Sequence, residues 1–201
     1  RCSFESLHVS LFILNKCMNI AGVDYSMTSP GICVHSGEKW SIENCKLFYL
    51  TKTKMLEGKF CSGLICGKLL KDFKTNMERF DYISDWAVKR IGVVDRVVIE
   101  GYAYAATGRV FDIGELTGIL KHKLYNSSTK TDTATPTQIK KFATGSGAAT
   151  KEHMYDAWYK ETGVDLMQEM TPRRSSVSSP VSDVVDAYFI CKWNFFNLAA
   201  S

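Results

Sequence analysis

Hydrophobic and polar positions along the first half of the chain follow the pattern of short β-strands. Apolar runs at residues 20–24, 32–35 and 45–50 are separated by short stretches that contain Pro, Gly and Ser. Such spacing predicts a meander of three antiparallel strands. A β-branched run at residues 93–101 predicts a further buried strand. Because a helix of about 20 residues precedes this run, we expect it to lie parallel to the first strand.

Helical periodicity dominates the rest of the chain. Apolar residues recur at helical spacing over residues 72–91 and 111–125. The polar residues 126–135 predict an exposed loop that leads to an edge strand. Thr135 and Pro136 begin another helix, residues 148–161 form the next, and Ser182 caps a final helix that ends near residue 196. Strands and helices together predict an α/β protein.

Composition narrows the class of protein. The chain has 201 residues, a net charge of +4 and seven Cys without framework spacing. These values predict one domain, a reducing cytoplasmic compartment and a basic surface compatible with a polyanion. No apolar run is long enough to span a membrane. Because the chain opens on Arg1 and Met18 directly precedes the first strand, we expect residues 1–17 to be a non-native or read-through extension of a domain at 18–201.

The lysine-rich stretch at residues 51–74 predicts a basic loop or a short ribbon. Cys61 and Cys66 within it lack the spacing and the further ligands of a zinc site. Gly63 to Leu69 is one residue short of a phosphate-binding loop and lacks its Ser or Thr. Neither motif assigns a function to this stretch.

Four acidic residues are placed so that they converge. Asp24 and Glu100 each end a predicted strand, and parallel strands deliver both to one edge of the sheet. Asp183 and Asp186 lie three residues apart on one helix face. Taken singly, Asp24 also suits a turn and Asp183 a helix N-terminus. Four carboxylates that are buried together need positive charge to neutralise them. Carboxylate oxygens are hard ligands that suit Mg²⁺ or Mn²⁺. We therefore expect two such ions about 4 Å apart, with Asp24 as the bridging ligand.

Ordered sequence blocks also resemble a known family. The blocks are Gly22 to Ser26 with Pro30-Gly31, Val98 to Glu100, Pro136 to Lys140 with Gly145, Gly147 and Lys151, and Asp183 to Ala187. Over residues 18–193 the chain resembles RuvC-type Holliday junction resolvases of the RNase H-like superfamily. Its lysine-rich stretch and long polar loop at 167–180 are more like those of phage-encoded members.

The resemblance implies a fold, a reaction and a set of site residues. The implied fold is a five-stranded mixed sheet, three strands antiparallel and the others parallel, flanked by helices. The implied activity is that of a homodimer that nicks four-way DNA at two sites, leaving 5′-phosphate and 3′-hydroxyl ends. Asp24, Glu100, Asp183 and Asp186 match the metal-binding acids. Lys140 and Lys151 match residues that contact DNA near the scissile phosphate, and Lys151 is counted with the catalytic residues.

Further residues complete the expected DNA interface. They are Lys141, the loop residues Tyr102, Tyr104 and Arg109, and the pair Arg173 and Arg174. The family has an aromatic wedge after its Glu, but neither tyrosine stands at the matching spacing. The two arginines either contact phosphate or are solvated.

Three other functions remain open from the sequence. One is a nuclease of the same fold that acts on other branched DNA, on RNA–DNA hybrids or in recombination. Another is a non-catalytic junction-binding module, although the presence of all four acids argues against it. A third is an actin-like ATPase, but Asp24 is not followed by a glycine-rich turn.

Overall fold

A computed structural model describes residues 17–101 and 110–198. Within these ranges seven strands form one sheet: β1 Met18–Asp24, β2 Gly31–Gly37, β3 Cys45–Thr51, β4 Gly58–Phe60, β5 Ile65–Leu69, β6 Arg96–Glu100 and β7 Lys130–Ala134. Six α-helices accompany them: α1 Asn76–Ile91, α2 Val110–Asn126, α3 Pro136–Thr144, α4 Lys151–Thr162, α5 Leu166–Met170 and α6 Val181–Leu198.

The strands form a mixed sheet in the order β4-β5-β3-β2-β1-β6-β7. β1, β2 and β3 pair antiparallel, which confirms the predicted meander. β6 lies parallel to β1 with Val23 opposite Ile99, also as predicted. β7 pairs parallel with β6 and ends the sheet, so the polar stretch at 126–135 does contain an edge strand.

The expected number of five strands is wrong, because the lysine-rich stretch adds two. Its residues form the β4–β5 hairpin, and β5 continues the sheet parallel to β3. Ile65 is fully buried, and the Tyr49 hydroxyl donates a hydrogen bond of 2.6 Å to the Leu56 carbonyl. These contacts make the stretch part of the sheet rather than a loose basic loop.

Several helix boundaries differ from the sequence-based expectation. α4 begins at Lys151 rather than at residue 148, because the Thr150 side chain accepts a hydrogen bond from the His153 backbone N–H and caps the helix there. α6 begins at Val181, so Ser182 lies in its first turn and is not its cap. The short helix α5 was not predicted.

Helices cover both faces of the sheet. Val23 and Ile99 belong to the core that the sheet forms with α1 and α2. Their sequence neighbours Gly22 and Val98 face the other side, where α6 lies along the sheet. Since successive strand residues alternate between faces, Asp24 and Glu100 also point towards α6. Among the described helices, none combines the length and the apolar character needed to cross a membrane.

Helix α6 contacts the sheet backbone directly at two glycines. A Cβ added at Gly22 would lie 2.1 Å from the backbone nitrogen of Cys191, and one at Gly31 would lie 2.3 Å from the Asp183 carbonyl oxygen. Both distances are far below van der Waals contact. The sequence Gly22-Val23-Asp24 therefore sets how closely α6 approaches the strand that carries Asp24.

We expect Gly22→Ala to lower the free energy of unfolding by about 1–3 kcal/mol or more, because α6 has to move away from β1. Gly118→Ala is a matched control, since Gly118 lies on the exposed side of α2 with open space around it. In a helix that change gains up to about 1 kcal/mol. Urea unfolding of both variants checks the pair, and equal stabilities would contradict the close packing.

Candidate active site

Asp24 and Glu100 lie side by side at one edge of the sheet. Val23 is paired with Ile99 across the parallel strands β1 and β6, so the two acids follow at equivalent positions. Both side chains are half-buried. The structure thus brings together two acids that stand 76 positions apart in the chain, as the parallel arrangement predicted.

The first turns of α6 add Asp183 and Asp186 to the same edge. Asp183 is buried and Asp186 is half-buried. Gly31 is paired with Asp24 across β1 and β2, and it is also the residue against which the Asp183 carbonyl packs. The backbone of α6 therefore packs against the strand residue that is paired with Asp24, and all four predicted acids lie close enough to affect one another's charge.

The mutual repulsion of these acids is visible in their pKa values. Burial raises the pKa of Asp24 well above its usual range, and the charges of Glu100, Asp183 and Asp186 raise it further. Burial, followed by the charge of Asp186, raises the pKa of Glu100 to about 7. Burial and the charge of Asp183 raise the pKa of Asp186 to about 6. The site is therefore short of positive charge.

Two lysines oppose this repulsion in part. Lys151, the first residue of α4, lowers the pKa of Asp24 and of Asp186. Lys140, on α3, does the same for Glu100 and Asp186. Lys141, on α3 beside Lys140, is exposed. The structure thus places Lys140 and Lys151 at the rim of the acidic site.

Asp183 has one satisfied and one unsatisfied carboxylate oxygen. Oδ1 accepts hydrogen bonds from the Ser179 hydroxyl at 3.0 Å and the Ser182 hydroxyl at 3.2 Å. Lys151 Nζ in turn lies 3.4 Å from Ser182 Oγ. Oδ2 is buried and has no hydrogen-bond partner. The sequence analysis missed the roles of both serines, and the only signal was their position, four and one residues before an acid.

The residues fit a divalent cation in charge and in ligand type. Four carboxylates, one of them with an unpartnered buried oxygen, are hard oxygen donors that need compensating charge. As the side chains stand, however, no three acidic, thiol or imidazole groups in residues 17–101 and 110–198 come together closely enough to hold one ion. Metal ligation by these acids thus stays a prediction.

The other predicted DNA contacts have mixed positions. Arg173 and Arg174 are exposed on the loop between α5 and α6. Arg174 donates hydrogen bonds of 2.8 Å to the Ser178 hydroxyl and the Ser179 carbonyl, so it holds the loop whose Ser179 contacts Asp183. Tyr102, Tyr104 and Arg109 lie outside the described residues.

Comparison with solved structures shows a fold similar to that of RuvC. The chain is similar to Thermus thermophilus RuvC (TM-score 0.58, 16% identity, covering 90% of this chain and 97% of that one). It is similar to T. thermophilus RuvC in complex with Holliday junction substrate (TM-score 0.60, 17% identity, covering 91% of this chain and 96% of that one). It is also similar to the yeast mitochondrial Holliday junction resolvase Ydc2 (TM-score 0.53, 12% identity, covering 87% of this chain and 76% of that one).

These similarities show an α/β fold of the RuvC-like, RNase H-like class. At such low identities they show the fold alone. No protein-family model matches the chain, and the comparison with curated proteins finds no match.

The raised pKa values predict how stability changes with pH. An acid whose pKa is higher in the folded state stabilises the fold when protonated, and this contribution is lost as the pH rises through the folded pKa. We expect the free energy of unfolding, measured with chelator, to fall by on the order of 2 kcal/mol between about pH 4 and pH 7.

Urea titration at each pH checks this expectation. Glu100→Gln removes the group whose pKa is about 7, so its profile should be flatter than that of the parent between pH 6 and pH 7. Glu152→Gln, an exposed acid on α4, is the control and should follow the parent. A parent stability that rises over this range would contradict the crowding of the four acids.

Proposed function

We propose that this chain is a structure-selective DNA endonuclease that resolves four-way junctions by metal-dependent phosphodiester hydrolysis. The observation that carries the proposal is the meeting of Asp24, Glu100, Asp183 and Asp186 at one edge of a RuvC-like sheet. One of the similar solved structures is a T. thermophilus RuvC in complex with Holliday junction substrate. The products would carry 5′-phosphate and 3′-hydroxyl ends.

The four acids fit metal-dependent hydrolysis because their negative charge is not fully compensated by the protein. With no cation present, burial and repulsion favour protonation of Asp24, Glu100 and Asp186. Two Mg²⁺ or Mn²⁺ ions held by the four acids would supply an activated water and neutralise charge on the leaving oxygen. The unpartnered Oδ2 of Asp183 supports its place among the ligands.

The lysines would position the substrate. Lys140 and Lys151 stand beside the acids, and ammonium groups bind phosphate oxygens as point charges. The Ser182 hydroxyl is hydrogen-bonded to both Lys151 and Asp183, so it would fix the position of the ammonium group relative to the carboxylate. Lys141 is exposed on α3, and Arg173 and Arg174 are exposed on the loop between α5 and α6. All three would contact backbone phosphates further out. Tyr102, Tyr104 and Arg109 follow Glu100 and would meet the junction beyond it.

Paired cleavage requires two active sites. One sheet edge carries one set of acids, so we propose a homodimer that presents its two sites to opposing strands of the junction. We place this activity in the cytoplasm of a bacterial or phage-infected cell, with residues 18–201 as the catalytic domain.

We expect Asp24→Asn to slow nicking of a synthetic four-way junction by about a hundredfold or more, because it removes a carboxylate that would hold the metal ions. Binding should be retained, since the substitution removes negative charge next to the phosphate. The exposed Asp156→Asn on α4 is the control and should cut like the parent. A gel of nicked products with Mg²⁺, Mn²⁺ or chelator measures the rates.

The substrate panel separates this function from its alternative. A junction, a splayed duplex and an RNA–DNA hybrid are cut side by side, and the proposal predicts a clear preference for the junction. Equal cleavage of the hybrid would indicate a broader nuclease of the same fold. Cleavage by Asp24→Asn at the parent rate would contradict the assignment of the acids.

A further inference from the structure

The β4–β5 hairpin and the start of α1 carry the excess positive charge of the protein. Residues 51–79 contain seven Lys and Arg and three Asp and Glu, a net charge of +4, which equals that of the whole chain. Of the three acids, Glu57 forms an ion pair with Lys54, and the Glu78 side chain accepts a hydrogen bond from the Lys74 backbone N–H. Glu57 also interacts with Lys68, and the third acid, Asp72, is exposed next to Lys71, so basic residues outnumber acids near the end of β5.

Three of these cations lie over two aromatic rings. Lys71 Nζ is 4.8 Å from the centre of the Tyr82 ring and 5.4 Å from that of Phe73. Lys68 Nζ is 5.4 Å from the Tyr82 ring, and Arg79 lies over Phe73. We call Lys68, Lys71, Phe73, Arg79 and Tyr82 the lysine–aromatic patch. The rings are half-buried and the two lysines are exposed.

This arrangement favours binding of an anion. Contact with a ring orders the lysine stem while the ammonium group keeps its charge and its three donors. No carboxylate within the described ranges forms an ion pair with Lys68 or Lys71. The Arg79 Nε is buried without a hydrogen-bond partner. The patch is thus an ordered positive surface with unused donors.

The sheet register places this patch on the same edge as the acids. Asp24 is paired with Gly31, Gly31 with Tyr49, and Tyr49 with Gly67. Lys68 and Lys71 follow Gly67, so they leave the sheet at the edge where Asp24 does. Three strand spacings of about 4.8 Å separate β1 from β5, which is about 14 Å along the edge. Phe73 and Tyr82 pack on the α1 side of the sheet, whereas the acids point towards α6, so the patch and the acids are separated by about 14 Å or more.

We propose that the lysine–aromatic patch binds the phosphate backbone of one duplex arm of the DNA whose scissile phosphate lies at the four acids. The inference rests on the proposed function, because it takes DNA at the acids as its starting point. Duplex DNA rises about 3.4 Å per base pair, so a separation of at least about 14 Å corresponds to about four base pairs or more. Half-buried rings are not free to stack on bases, so the contact is to the backbone and independent of sequence.

Binding in chelator tests the proposal without any cleavage. Fluorescence anisotropy with a labelled four-way junction compares the parent with the double variant Lys68→Gln and Lys71→Gln. We expect about tenfold weaker binding and a salt dependence whose slope is smaller by about 1 to 2. Lys68→Arg with Lys71→Arg keeps the charge and should bind like the parent, which separates lost charge from a disturbed fold.

A matched control removes the same charge elsewhere. Lys46 and Lys130 are exposed; Lys46 is the second residue of β3 and Lys130 the first of β7, so both lie at the opposite edge of the sheet. Lys46→Gln with Lys130→Gln should leave affinity and salt slope unchanged. Equal losses in the two double variants would overturn the proposal, since they would reflect net charge alone. The proposal would also be overturned if the Lys68 and Lys71 variant bound the junction with the affinity of the parent. The patch would then be assigned to an acidic protein partner instead of DNA.

Replacing single phosphates of the DNA by uncharged linkages locates the contact between the backbone and the lysine–aromatic patch. Methylphosphonates are uncharged, and a series of them is placed from about four base pairs outwards from the cut site. At the contacted phosphates they should weaken binding by the parent and have little further effect on the Lys68 and Lys71 variant. Independent, additive losses would overturn the assigned position. A parent protein that binds the junction and never cuts it would overturn the proposed function while leaving the patch supported.

Discussion

The direct backbone contact between α6 and β1 is the constraint on which the rest of the structure depends. Gly22 and Gly31 have no side chains, so the helix lies against the sheet at Cys191 and Asp183. This contact decides how far the acids of the helix stand from those of the strands. At the other end of the helix, the buried Asn194 donates hydrogen bonds to the Ala21 and Arg96 carbonyls. The helix is thus held to both acid-bearing strands.

Close packing at this place has an electrostatic cost. Bringing the helix to β1 also brings Asp183 and Asp186 to Asp24 and Glu100, away from water. The pKa shifts of three of these acids express that cost, and Lys140 and Lys151 compensate only part of it. Other interactions have to offset the destabilising effect of this crowding. We expect a bound cation to supply such an interaction.

The antiparallel meander of β1 to β3, the parallel pairing of β6 with β1 and the meeting of the acids could be predicted because they follow from local patterns. The β-branched run before Glu100 and the helix before it were enough to place that strand parallel to the first. The β4–β5 hairpin was harder, since its lysines hide the buried Ile65 and a ribbon could not be distinguished from a loop. The link from Ser179 and Ser182 to Asp183 depends on where α6 begins, which periodicity defines only to within a turn.

A crystal structure grown with Mn²⁺, with anomalous diffraction used to locate the ions, shows directly whether the four acids bind metal. Our account predicts anomalous peaks between Asp24, Glu100, Asp183 and Asp186, with the unpartnered Oδ2 of Asp183 as a ligand. It also predicts small side-chain rotations towards the ions, since the four carboxylates do not yet surround one point. Saturating Mn²⁺ with no peak at this edge of the sheet would contradict the account.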